Sequence, residues 1–431
     1  MRTKLFLWGC VYFVFVVYGS LVPLEIKVIT LDEAVSRYFL IPFLNLNAFS
    51  RADWVANILL YIPLAFMLSG SVCSSRNKIL DFIAIVFVLI FCISVAHAVE
   101  FTQLFFPKRT VSQNDLIAET IGSCLGVGFW VLFGQKLTAM IRTVNLGGGE
   151  FLRQSLMLYL FAYLFLAFFP FDFVLSLDEL TDKMNGNSDG IATCLDNFLR
   201  CSVSSAAEVV IVIPIGIQIA LFVKYAPHRI FSSIIIGLIC GSIIEIIQLF
   251  LISGVSSFLS VVYKTIGLYF GVVIYSKANT LKGFSSFNMA KLIVFLLIPY
   301  ILVVAGINGW FTQEWLTFDE GIITINDIQF LPFSYHYNVT EMMAMVSLLA
   351  TSGMYGVIGF GYAILPNKEH KWLAGLYAAI FCFIVESGKL FMVYKHPDPT
   401  NIMIAFFAST FCFWYLINIK KWFKDYYLRD A

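Results

Sequence analysis

The sequence predicts an all-α, polytopic transmembrane helical bundle, and three observations carry that expectation. Of 431 residues, 60% are hydrophobic and only 13% are charged, against about 25% charged in an average soluble domain. Apolar stretches long enough to cross a bilayer recur along the whole chain. The few polar residues within them return at fixed spacings. Together these exclude a soluble enzyme, a disordered chain and a secreted disulfide scaffold. The 28 Lys+Arg against 27 Asp+Glu leave a net charge of +1, with no basic excess for phosphates, so membrane lipids and not nucleic acid are the expected partners.

Taken in order, about twelve spans are expected, near 5–22, 55–69, 79–103, 115–133, 154–170, 206–223, 229–252, 256–275, 291–308, 342–364, 372–394 and 401–419. No small-x-small cleavage site follows the first, so it is read as a retained span and not a signal peptide. With the N-terminus inside, 18 of the 28 cations fall on inner segments and 8 on outer ones, while Lys264 and Lys389 lie within spans. The positive-inside rule then places both termini in the cytoplasm.

A repeat organises these spans. Glu100-Phe-Thr-Gln103, Glu245-Ile-Ile-Gln248 and Glu386-Ser-Gly-Lys389 each end a long apolar helix. Counted from each glutamate, position +9 holds Arg109, Gly254 and Lys395; +15 holds Asp115, Ser260 and Asn401; +19 holds Glu119, Lys264 and Ala405. Gly122, Gly267 and Ala408 follow at +22. Upstream, Asn57 and Glu208 each precede a proline, and Glu341 takes the corresponding place in the third copy. Three tandem four-helix units result, 1–145, 146–285 and 286–431. Four helices return the chain to its starting side, so the copies run parallel and are not inverted repeats. Every repeated polar position then falls at the outer leaflet.

The nine cysteines read mostly as buried hydrophobes. Cys194 and Cys201 share an outer loop, but on a regular helix their Cα atoms would lie about 10.5 Å apart, too far to bridge. A disulfide there requires an irregular loop. No Cys/His spacing suggests a metal, and no cofactor is expected. His336 and His396 are expected to be solvated loop residues. Lys264 is expected to pair with Glu245, and Lys389 with Glu386 at i,i+3.

Asn57-Ile-Leu-Leu-Tyr-Ile-Pro63, Glu100-Phe-Thr-Gln103, Pro107-Lys-Arg109 and Asp115 with Gly122 and Gly126 together resemble the VanZ-like membrane family. The resemblance implies a four-helix bacterial membrane domain in the cytoplasmic membrane, and the family's namesake is linked to low-level teicoplanin resistance. The first copy carries the match, and the other two are degenerate. Glu119 stands where the family usually has Asn, which adds a second carboxylate beside Glu100.

Ionisable residues in spans are costly and mark candidate sites. One reading makes Asn57, Glu100, Gln103, Arg109, Asp115 and Glu119 a site that binds, transports or modifies a lipid-linked envelope precursor or surface component. The other makes Glu100, Arg109 and Asp115 an interhelical ion-pair clamp within a scaffold protein. Neither a Ser or Cys nucleophile beside a base nor a phosphate-cradling glycine loop is evident, which weighs against an enzyme. A site should line a pocket open to the outer leaflet. A clamp should be buried with every partner satisfied.

Overall fold

The computed structural model describes residues 2–45, 48–73, 77–186, 198–223, 226–277, 286–365 and 370–429. Eleven helices among them are long and apolar enough to cross a membrane, which makes this a multi-pass helical protein. Helices suit that medium because they satisfy their own backbone groups where no water can.

The N-terminal segment holds α1 (Arg2–Leu21), the short α2 (Leu31–Phe39), α3 (Ala48–Val72), α4 (Lys78–Gln103) and α5 (Gln113–Leu146). The middle segment holds α6 (Phe151–Phe168), the short α7 (Leu177–Gly186), α8 (Phe198–Phe222), α9 (Ala226–Leu249) and α10 (Phe258–Lys277). The C-terminal segment holds α11 (Ser286–Ile307), the short α12 (Phe318–Ile323) and α13 (Ser334–Tyr337), then α14 (Glu341–Ile364), α15 (Lys371–Lys389) and α16 (Pro399–Arg429). Helix α11 runs over 22 residues, Ser286–Ile307, where the ninth span was expected near 291–308. Among the described residues eleven helices qualify as candidate spans, where about twelve were expected.

Several helices outrun their apolar stretches. The third begins at Ala48 and not near 55, because Arg51, which interrupts the apolar run, is buried against Glu179 and the Phe173 carbonyl. Helices α5 and α16 likewise continue well past 133 and 419, where the expected spans ended.

Each long connection after a segment's first helix carries a short helix that begins on the same device. Thr30 accepts from the Glu33 amide, and Ser176 accepts from the Glu179 amide. Thr317 and Glu320 form a reciprocal capping box. Ser/Thr-x-x-Glu satisfies the orphan donors of a first turn. Just before each of these short helices, the chain pins itself to the end of a later span by a backbone bond. The Lys27 amide donates to Phe105 O (2.7 Å), Val174 to Phe250 O (2.8 Å) and Leu316 to Phe391 O (2.7 Å).

Two compact units result: Met1–Thr143 with Arg153–Tyr275, and Val144–Leu152 with Ser276–Ala431. In the first, α3 and α5 approach backbone to backbone. A Cβ on Gly122 would lie 2.3 Å from Ile58 O, and one on Gly126 2.3 Å from Ile62 O. Gly267 and Gly271 bring α10 equally near Val209 O and Ile213 O on α8. Small residues permit this approach where lipid provides no hydrophobic drive between helices.

Gly126→Leu should therefore force α3 and α5 apart and cost at least about 1–3 kcal/mol, the range for an overpacked contact. Gly128→Ala, with nothing within 4 Å of the added carbon, should be close to neutral. Thermal unfolding of the two purified variants in one detergent checks the contrast.

Candidate functional site

In the N-terminal segment the ends of α3, α4 and α5 bring the expected residues together. Asn57 donates from Nδ2 to Asp115 Oδ1 at 2.8 Å. Ser112 donates to Asp115 Oδ2 at 2.6 Å, and the Asp115 amide donates back to Ser112 Oγ. Ser112 does lie beside a carboxylate, contrary to expectation, but as the cap of α5. Gln103 reaches Ser20 O at 2.8 Å, and the Arg109 guanidinium donates to Gly19 O, so both anchor the end of α1.

Glu100 and Glu119 are only 2% exposed, yet each leaves Oε2 buried without a hydrogen-bond partner. The Ser112 backbone amide lies within reach of the Glu100 carboxylate. The fully buried Tyr61 sets its hydroxyl beside Glu119 without completing a hydrogen bond. Over the group lies α2, whose Tyr38 hydroxyl meets His97 Nδ1 at 2.5 Å. Burial first, then the negative fields of Glu100 and Glu119, push the Tyr38 hydroxyl above the usual tyrosine range.

The middle segment closes the same arrangement. Glu245 accepts from Lys264 Nζ at 2.5 Å and from the Ser257 amide at 2.7 Å. Ser260 donates to Glu208 as Asn57 does to Asp115. Gln248 reaches Ala167 O at 3.1 Å, the counterpart of Gln103 on Ser20 O. In the C-terminal segment Glu386 accepts from Lys389 (2.8 Å), Asn401 (2.9 Å) and the Asp398 amide (2.9 Å). Ser112, Ser257 and Asp398 all stand at +12. Lys395 lays its stem beside Gly309 at the end of α11.

Two expectations are corrected. Thr351, not Glu341, reaches Asn401 from α14 (3.5 Å). Gly359, eight residues on, meets Ser409 O as Gly216, eight after Glu208, meets Leu268 O. With no proline in α14, the sequence lacked the landmark for that register; Glu341 is simply the first residue of the helix, behind its Thr340 cap. His336 is not solvated. Its side chain is 8% exposed and lies 3.5 Å from Asp398, folded in by the left-handed Phe333. Arg109, besides its hydrogen bond to the Gly19 carbonyl, sets its positive field on both Glu100 and Asp115. Cys194 lies outside the described residues, as does the side chain of Cys201. Among the described residues no cluster of His, Cys, Asp and Glu could hold a metal.

Residues 5–134 match the model of the VanZ/LLP1 family. That segment is VanZ-like. No curated protein and no solved structure matches the chain. The VanZ-like segment thus coincides with the part of the protein in which the buried carboxylates are left open.

Two outcomes follow from the closed groups and from the Arg51 contact. Lys264→Met should strand a buried Glu245 and destabilise the protein by about 3–5 kcal/mol, and adding Glu245→Gln should recover most of that in chemical unfolding. The Arg51 guanidinium, then the Leu175 amide, hold the Glu179 carboxyl down to about 2 from 4.5. Because the folded value is the lower one, this contact is complete above 4.5 and lost as pH falls towards about 2. Exchange at the Leu175 amide, which donates to Glu179, should quicken through that window beyond its intrinsic rate, and stay flat with pH in Glu179→Gln.

Proposed function

We propose that this VanZ-like protein works in the bacterial cell envelope as a binding or transport protein whose site is the polar group of the N-terminal segment. In this reading it lies in the cytoplasmic membrane with both termini inside and the group at the outer leaflet. The ligand is a lipid-linked precursor or surface component, and its handling alters susceptibility to glycopeptide antibiotics. The middle and C-terminal segments are degenerate copies of the same unit, kept as scaffold. The shared +12 amides, the glycine contacts and the Phe105, Phe250 and Phe391 carbonyl bonds support the triplication.

One observation carries the site: Glu100 and Glu119 are buried and each retains an acceptor without a donor, whereas Glu245 and Glu386 have both oxygens occupied. A buried acceptor left bare is expensive, and a hydroxyl- or amine-bearing headgroup would satisfy it. The bonds around Glu245 and Glu386 favour a clamp reading for those two groups. The N-terminal group matches neither a satisfied clamp nor an open pocket, so it must open to take a headgroup. Such gating is a usual property of membrane binding sites.

Glu100→Gln should leave the amount of protein in the membrane unchanged and abolish its effect on teicoplanin susceptibility in the host strain. Binding of a fluorescent glycopeptide to the cells, with membrane abundance by immunoblot, checks this. An unchanged phenotype with normal abundance overturns the reading.

A further inference from the structure

This inference deepens the ligand-site reading and rests on it. Residues nineteen apart on Glu245 and Lys264 meet at 2.5 Å across α9 and α10. Glu100 and Glu119 have the same spacing on α4 and α5, and α5 is held to α3 by glycines as α10 is to α8. Where one segment sets an ammonium against a carboxylate, the other sets a second carboxylate. Both Oε2 atoms are buried and bare, and Tyr38 and Tyr61, on two different helices, lie in the field of both carboxylates. Like charges so placed in a span repel strongly, and each keeps one oxygen with which no neighbour completes a hydrogen bond.

The geometry points to a proton-binding carboxylate pair: Glu100 and Glu119 hold one proton in common in the resting protein. A proton from water forms an O–H bond on one carboxylate, the new hydroxyl donates to the bare oxygen of the other, and the pair keeps one negative charge. The neighbouring charges accommodate it. Arg109, on the α4–α5 connection, sets its positive field on Glu100 and Asp115. Asp115, on α5, is held by Asn57 and Ser112, with Asp53 on α3 behind it. Tyr61 from α3 faces Glu119, with Cys92 of α4 near it. Tyr38 of α2 is joined to His97 of α4, and from α1 the Tyr12 ring packs on the same core. The site is therefore charged with a proton before any headgroup arrives, and a donor-bearing ligand would displace that proton to water.

Infrared spectroscopy of the full-length protein in lipid nanodiscs at neutral pH tests the pair without a ligand. A protonated-carboxyl stretch that shifts in heavy water is expected in the wild type. It should be lost in Glu119→Lys, which installs the ion pair of the middle segment, and in the Glu100→Gln/Glu119→Gln double variant. Absence of the band in the wild type overturns the proposal, and so does a band unchanged in the double variant, which would assign the proton elsewhere. If Glu119→Lys fails to fold, the double variant, close in size and without the charges, carries the test. Because no ligand is added, the band reports on the proton even if Glu100→Gln cells keep their antibiotic phenotype.

Discussion

A carboxylate carried into a membrane span has to be given a cation, a set of donors, a proton or a ligand, because water is not at hand to solvate it. That constraint organises this protein. Glu245 is answered by an ammonium from the next helix and an amide from the connection. Glu386 is answered by a lysine on its own helix, an asparagine and an amide. Glu100 faces Glu119 across the equivalent spacing, and both keep a bare oxygen. Two of these groups are thus closed, and the one that keeps bare oxygens lies within the VanZ-like segment.

The frame can hold such groups because its connections are built as carefully as its spans. A capped short helix follows the first helix of each segment, and a backbone bond ties the connection to the end of the glutamate-bearing helix. Glycines remove the side chains that would separate α3 from α5 and α8 from α10. Backbones in contact leave little freedom for the polar ends to relax apart. Two carboxyl groups can therefore be held in place within a span, where sharing a proton spares them a second charge.

Much of this was legible in the residues. Long apolar runs announced the spans, and the Lys264–Glu245 and Lys389–Glu386 contacts followed from spacing alone, since +19 and i,i+3 each bring two side chains to one helix end. Other features were hidden for identifiable reasons. Arg51 reads as a break in an apolar run because its partner, Glu179, is 128 residues away. Three of the short helices, α2, α7 and α12, were announced by Thr30, Ser176 and Thr317, each three residues before a glutamate, but a search for apolar length passes over them. Thr351 lacks the proline that fixes the register of α3 and α8, and His336 is buried by a backbone turn that composition cannot reveal.

The most direct test of this account compares one substitution at three places. Glu100→Gln, Glu245→Gln and Glu386→Gln, unfolded under identical conditions, place the same amide at three buried glutamates. On this account the second and third lose stability, because each strands a buried lysine, while the first is close to neutral, because the amide can donate to Glu119 where the shared proton did. An equal loss at all three would mean that Glu100 is a clamp like the others, and would contradict it.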